Sequence, residues 1–325
     1  MKTCIYRKYG SPEVLEFAER DEPLPKYNEV LVKVHASSIN DWDWQLLQGV
    51  PLFNRLSNGF KEPKKITTLG CDVAGVISAV GDDVTGFKPG DEVYGDLSGC
   101  GFGAFAEYVC AREDALVKKP VELSFEQAAS LPQAGIIALQ GFEFAGAPKT
   151  GLNILINGAS GGVGPLAIQL AKHFQATEIT GVCSAEKVDF VYSLGADHVI
   201  DYTSDDFTKQ KKSYDLILDV KGFHHFLDYK KVLSTNGVYA LQGGGTSIIF
   251  ETLFMGWAVN LFSKKKMGIQ IHKANKGMDT INDLVKSDHL KPVVDKIFSF
   301  SELPQAMSYY GSGKARGKVV ITMEH

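Results

Sequence analysis

Asn157-Gly158-Ala159-Ser160-Gly161-Gly162-Val163-Gly164 lies between two apolar runs of different kinds. Asn153-Ile154-Leu155-Ile156 before it is short and aliphatic, the composition of a buried parallel strand. Pro165 to Lys172 after it is rich in helix formers, with apolar residues at helical spacing. Strand, glycine turn and helix form the context in which a loop cradles a dinucleotide. Glycine lacks the Cβ that would hold backbone away from a pyrophosphate, and a helix N-terminus offers free N–H groups and partial positive charge. Read strictly as G-x-G-x-x-G, the frame is Ala159, Gly161, Gly164, with alanine first; a looser G-x-x-G-x-x-G runs Gly158, Gly161, Gly164. The plain alternative is an ordinary tight turn, and the register of strand, turn and helix favours a nicotinamide dinucleotide.

The second strand of such a unit predicts which dinucleotide. Glu178 to Ser184 fits that strand, and an NAD site usually ends it with Asp or Glu, ~20 residues past the glycines, on the ribose 2′-hydroxyl. Here the strand ends at Ser184, followed by Ala185, Glu186 and Lys187. Ser184 supplies a neutral hydroxyl and Lys187 a cation, both suited to a 2′-phosphate. Glu186 dissents: it either faces solvent or binds ribose. The plain alternative for Lys187 is a solvated lysine on a helix surface. The set favours NADPH.

Elements must hold these residues in place. A chain of 325 residues predicts two domains, and 44% hydrophobic with 22% charged residues is ordinary globular composition. A net charge of −4 gives no basic footprint for nucleic acid or anionic membrane. Cys4, Cys71, Cys100, Cys110 and Cys183 form no C-x-x-C pair, which suits free thiols in a reducing compartment, the cytoplasm. Met1 to Tyr6 reads as a strand rather than a leader, and Ile248 to Phe262 is too short and too interrupted by Glu251 for a transmembrane helix of ~20 residues. A lid or dimer-contact helix fits it better.

Residues 1–123 read as β-rich, with strands over Glu29–Ala36, Asp72–Gly81, Glu92–Gly95 and Ala104–Val109 punctuated by Gly and Pro, as in a partly open β-barrel. From Ser124, whose Ser-x-x-Gln spacing is a capping box, residues 124–288 alternate helix and strand, the rhythm of a doubly wound parallel sheet. Residues 289–325 return to strands, around Ile297–Phe300 and Gly317–Thr322, and are expected to rejoin the first domain.

Several motifs recur in a fixed order: Ser38-Ile39-Asn40 with Asp43-Trp44, Leu69 to Gly75, Val80-Gly81, Phe87 to Tyr94, Gly158 to Gly164, Ser193 to Tyr202, and Gly317-Lys318-Val319-Val320. Together they resemble the medium-chain dehydrogenase/reductase superfamily, in its zinc-free quinone oxidoreductase branch with its enone reductase relatives. The resemblance implies an α/β architecture: a GroES-like barrel domain for catalysis, a Rossmann domain, and a cleft between them. It implies NADPH as hydride donor and a quinone or α,β-unsaturated carbonyl as acceptor. Ser184, Lys187 and Tyr202 fall where the family contacts the 2′-phosphate, Asn40 beside the nicotinamide, and Gly243 where backbone meets the carboxamide. The family's zinc-dependent members carry Cys and His or Glu where this chain has Asn40-Asp41, Gly70-Cys71-Asp72 and Leu131 to Gly135, so no catalytic metal is expected. The branch often reads Asn-Pro-Val-Asp where Asn40-Asp41-Trp42-Asp43 stands here.

Without a metal, positioning of a C4 hydride supplies much of the catalysis, and the developing enolate needs a hydrogen-bond donor. Asn40 is the candidate donor, a structural turn asparagine being the alternative. Trp42, Trp44, Phe53, Phe60 and Phe102 are candidates to line an apolar acceptor site; core packing is the alternative for each. Tyr94 reads as core, and the adjacent His224 and His225 do not converge on one ion. Met267 to Ile271 resembles the edge strand through which family members pair, so a homodimer is expected. Rival readings are an NADP-linked alcohol or aldehyde oxidoreductase, and a weakly catalytic NADPH-binding sensor or scaffold, with Ile248–Phe262 and Lys264-Lys265-Lys266 as a peripheral membrane contact.

Overall fold

A computed structural model describes residues 1–146 and 150–324. It contains two compact units: Met1–Ile136 with Ala274–Lys286 and Pro292–His325, and Ile137–Lys273 with Ser287–Lys291.

The chain begins with β1 (Lys2–Tyr6), β2 (Leu15–Glu19) and the long β3 (Glu29–Ile39). Helices α1 (Asp41–Gln48) and α2 (Leu52–Asn58) follow, then β4 (Asp72–Val80), β5 (Glu92–Asp96), β6 (Tyr108–Arg112) and β7 (Val117–Lys118). Next come α3 (Phe125–Ala129) and α4 (Pro132–Phe144). The alternating part comprises β8 (Asn153–Asn157), α5 (Gly164–His173), β9 (Glu178–Cys183), α6 (Val188–Ser193), β10 (His198–Asp201) and β11 (Tyr214–Asp219). It continues through α7 (Phe226–Val232), β12 (Leu233–Leu241), α8 (Thr246–Phe262) and β13 (Lys266–Ile269). The return is α9 (Met278–Lys286), β14 (Val294–Ser299), α10 (Leu303–Gly311) and β15 (Lys318–Thr322).

In the first unit a sheet runs β14-β15-β3-β4-β5-β7, with β6 also on β3. β3 pairs with three strands, and its register with β4 shifts at Leu31/Val32 and Val34/Ala36. Such bulges bend a strand and increase its twist, which curls the sheet toward a barrel. Val30, Val32, Val34, Val73, Ile77, Val93, Val319 and Ile321 fill its interior. Register also sets the polar row that matters below: Ser38 opposes Asp72, Asp72 opposes Asp96, and Val319 opposes Ile39.

The strand expected over Ala104–Val109 begins four residues later. Ala104 and Phe105 give their N–H groups to Gly70 and Leu69 carbonyls instead, in a turn where Phe102 sits at φ 67° between two left-handed glycines. The units divide at 136/137 rather than at 123/124, because α3 packs on β3 and β4 and Gln133 donates its backbone N–H to Asp72. α9 joins the first unit through Asn282, which accepts from the buried Tyr94 hydroxyl at 2.6 Å.

In the second unit six parallel strands run β10-β9-β8-β11-β12-β13. The order reverses between β8 and β11, the switch point outside which such sheets bind ligands. Asn157 ends β8 and Asp219 ends β11, and they are joined by an Asn157 Nδ2 to Asp219 Oδ1 bond of 2.7 Å. Burial raises the Asp219 carboxyl, while the Tyr239 hydroxyl donates to its other oxygen at 2.8 Å. Among the described residues no helix is long and apolar enough to cross a membrane.

Candidate functional site

The glycine turn opens directly from β8 at the switch point. Gly158 has φ +88°, and its N–H and that of Ala159 both donate to Val182 O, tying the turn to β9. A Cβ on Gly164 would lie 2.4 Å from the backbone of Gly158 and Ala159, so α5 can start this close to the turn only with glycine there. Ala159, Ser160, Val163 and Gly164 are buried, whereas Gly161 and Gly162 keep partial exposure at the crest. A Cβ on Gly161 would meet nothing nearer than 3.7 Å, leaving room in front of the α5 N-terminus. This cradle fits a pyrophosphate.

Ser184 and Tyr202 follow the ends of β9 and β10, and the Tyr202 N–H donates to Cys183 O. Lys187 lies one turn beyond Ser184 and is only 6% exposed, which rules out a solvated surface lysine. Glu186 is exposed beside it. Phe223, not singled out from sequence, stands edge-on to Tyr202 at 5.9 Å with both rings half exposed, a platform beside these groups. Gly243 follows β12, where a Cβ would sit 2.6 Å from Val220 O, so the site admits backbone and no side chain. His224 and His225 part company: His225 meets Glu251 at 3.1 Å, and His224 lies 3.8 Å from Asp206.

The first unit holds a buried polar cluster where β3, β4, β15 and the start of α4 meet, with Asn40 at 6% exposure its most accessible member. Asp72 is fully buried and accepts from Ser38 Oγ at 2.7 Å, Asn40 Nδ2 at 2.8 Å, Gln133 N at 2.9 Å and Lys318 Nζ at 3.1 Å. Asn40 Oδ1 accepts from Lys318, and its Nδ2 also reaches Cys71 Sγ at 3.2 Å and Ser38 O at 3.3 Å. Gln133 Nε2 donates to the same sulfur at 3.2 Å. Asp43, three residues into α1, accepts from the N–H groups of Asn40 and Gly70, which fixes the helix start against the Gly70 turn. Burial pushes the Asp43 carboxyl up to about 7, against the pull of those two N–H groups. Burial, reinforced by Asp43, Asp72 and Asp96, holds the Cys71 thiol well above its ordinary value.

Cys71, Asp72 and Asp96 bring ligand atoms within 4.8 Å of one another, so the cluster can be tested against zinc. A zinc set needs thiolate, imidazole or carboxylate donors with free lone pairs, usually four in tetrahedral array. Here the single thiol is pushed toward its neutral form and already accepts two amide donors, and the Asp72 oxygens are taken up by four donors, one of them an ammonium. These donors do not fit zinc.

The aromatic candidates separate. Trp42, 38% exposed, meets Phe102 at 5.6 Å edge to face, next to Asn40 in sequence. Trp44, also expected in the acceptor site, is half-buried and packs against Gly311 and Tyr310; a Cβ on Gly311 would lie 2.1 Å from its ring. Phe53 and Phe60 are exposed, at 56% and 61%. Lys318 escaped the sequence reading. Its one signal was a lysine opening the apolar run Val319-Val320-Ile321.

Residues 26–121 match the alcohol dehydrogenase GroES-like domain family, and residues 194–321 match the zinc-binding dehydrogenase family. The chain is 35% identical over 336 residues to the 2-methylene-furan-3-one reductase of Solanum lycopersicum, covering 99% of this chain and 79% of that protein. It is equally similar, at 35% over 336 residues and the same coverage, to the NADPH-dependent alkenal/one oxidoreductase of Arabidopsis thaliana chloroplasts. The solved quinone oxidoreductase of Coxiella burnetii superposes with a TM-score of 0.89 at 30% identity, over 100% of this chain and 99% of that one.

Proposed function

The chain belongs to the medium-chain dehydrogenase/reductase superfamily, among quinone oxidoreductases and enone reductases, and on that premise we propose that it reduces a quinone or an α,β-unsaturated carbonyl with NADPH and without a metal. The observation that carries the reading is the dinucleotide turn whose neighbouring strand ends in Ser184 and a buried Lys187, with Tyr202 alongside.

When bound, NADPH supplies the hydride from nicotinamide C4. The backbone N–H groups of Gly162 to Gly164, at the α5 N-terminus, hold the pyrophosphate, while that of Gly161 closes the turn on Gly158 O. Ser184, Lys187 and Tyr202 take the 2′-phosphate, a role for which the Lys187 cation is the discriminating group. Gly243 leaves its backbone open to the carboxamide. Asn40 is the group that donates to the acceptor oxygen as negative charge develops there. One of its amide hydrogens belongs to Asp72 at 2.8 Å; the other is shared between the weak acceptor Cys71 Sγ at 3.2 Å and Ser38 O at 3.3 Å, which a developing oxyanion displaces. Trp42, backed edge-on by the buried Phe102, gives the acceptor an apolar wall. The free cysteines and the lack of a membrane-crossing helix among the described residues suit a cytoplasmic enzyme.

We also propose a homodimer. β13 is the outer strand of its sheet, and α8 beside it exposes Phe250, Leu253, Phe254, Trp257 and Leu261 along one stripe. An open edge next to an apolar helix face is the self-complementary surface that a two-fold contact uses.

The test is anaerobic turnover of an enal, an enone, a quinone and a simple aldehyde with NADPH or NADH, before and after exhaustive chelation. Chelator-insensitive reduction of a conjugated carbonyl or quinone with NADPH preference is expected. Aldehyde reduction lost on chelation contradicts the reading.

A further inference from the structure

Beside Asn40 lies a charge that hydride transfer, as derived above, leaves unused. Lys318 opens β15, and the antiparallel register that pairs Val319 with Ile39 sets it against Asn40. Its side chain is 3% exposed, and its ammonium donates both to Asn40 Oδ1 and to Asp72 Oδ2. Asn40 Nδ2 donates to that same Asp72 oxygen, so ammonium, amide and carboxylate close a three-membered ring.

The ring fixes the amide. Flipped, Asn40 would set its NH₂ against the ammonium and its oxygen against the carboxylate, two repulsions with little water to screen them. In the observed orientation the ammonium draws density from the amide oxygen, and hydrogen-bonded groups polarise one another in this way. The Asn40 N–H that rests only on Cys71 Sγ and Ser38 O becomes a stronger donor.

We propose that Lys318 is a positioning residue for hydride transfer: through Asn40 Oδ1 it orients and polarises the amide that meets the acceptor oxygen. The proposal rests on the function given above for Asn40. It assigns to a lysine on β15, in the first unit, a share in kcat and none in cofactor affinity.

Lys318→Met alone strands the Asp72 carboxylate, and an uncompensated buried charge can unfold a domain. Lys318→Met/Asp72→Asn removes both charges together, and Lys318→Arg keeps Asp72 paired while altering the geometry at Asn40. Thermal unfolding and NADPH titration first establish that each variant folds and binds cofactor like the wild type. The expected result is a kcat lower by about ten- to a hundredfold in the paired variant, below the loss seen when a whole oxyanion donor is removed. Lys318→Arg is expected to recover part of it. The deciding measurement is a double-mutant cycle with Asn40→Ala, run with both Lys318 variants. If Lys318 acts through Asn40, adding either change to Asn40→Ala costs little more. Additive losses, or wild-type kcat in the folded paired variant, overturn the proposal. A wild-type enzyme inert to enones and quinones overturns the parent reading and this one together, and the unmutated protein alone reveals it.

Discussion

A lysine that is nearly sealed at the end of a second Rossmann strand has a narrow set of uses. Lys187 at 6% exposure, with Ser184 before it and Tyr202 just after the next strand, is the cation of the proposed 2′-phosphate site. A hydrogen bond to a charged group contributes about 1.5–3 kcal/mol, or about ten- to a hundredfold in affinity. Lys187→Ala is therefore expected to raise KM for NADPH by that factor and leave KM for NADH within about twofold. Steady-state kinetics with both cofactors check it; an equal rise for both would mean that Lys187 only supports the fold. Asp43 makes a separate prediction. Its folded carboxyl is raised from 3.8 to about 7, so its protonated form favours folding and its contribution is complete below pH 4. That contribution is lost as pH climbs through the window up to about 7. Unfolding temperature should fall across this range more steeply in the wild type than in Asp43→Asn, and parallel curves would contradict the assignment. Ser184 and Lys187 were legible because they follow a readable strand. Lys318 was not, since its partner Asn40 lies 278 positions away and only the β15–β3 register joins them. The contact of Trp44 with Gly311 was hidden for a related reason, since the two lie far apart in sequence.

At the scale of elements, the strands β8 to β12 and the helix α5 could be read from apolar runs and turn residues, because parallel strands are buried on both faces. The barrel was harder. Ala104–Val109 has strand composition, yet Ala104 and Phe105 bond to the Gly70 turn, a long-range choice that composition does not encode. α9 was read with the dinucleotide domain because it follows β13 in sequence, whereas Asn282 ties it to Tyr94 in the other unit. α8 was legible as apolar and not as amphipathic, being hydrophobic on all sides. Its inner face packs so tightly that a Cβ on Gly256 would lie 2.9 Å from Met267 O on β13, and its outer face shows Trp257 at 68% and Phe254 at 75% exposure. Phe254→Ser/Trp257→Ser should leave folding intact and convert a dimer to a monomer by sedimentation at micromolar concentration. A wild type that sediments as a monomer there removes the dimer and returns this face to the lid or membrane-contact readings.

At the scale of the whole molecule, one unit carries a turn that fits a pyrophosphate and the other a polar cluster of Asn40, Gln133 and a lysine-bound Asp72. The two halves make a joint demand on the chemistry. In the metal-free reading proposed above, hydride is best accepted where a conjugated system or a quinone already spreads the incoming charge, leaving an enolate oxygen for a neutral donor. The most direct test is to supply NADPH deuterated at C4 on the transferred face to chelator-treated enzyme with an α,β-unsaturated ketone, and to locate the label by NMR. Deuterium is expected on the β-carbon of a saturated ketone. Deuterium on the carbonyl carbon of an alcohol, or transfer that requires added zinc, would contradict it.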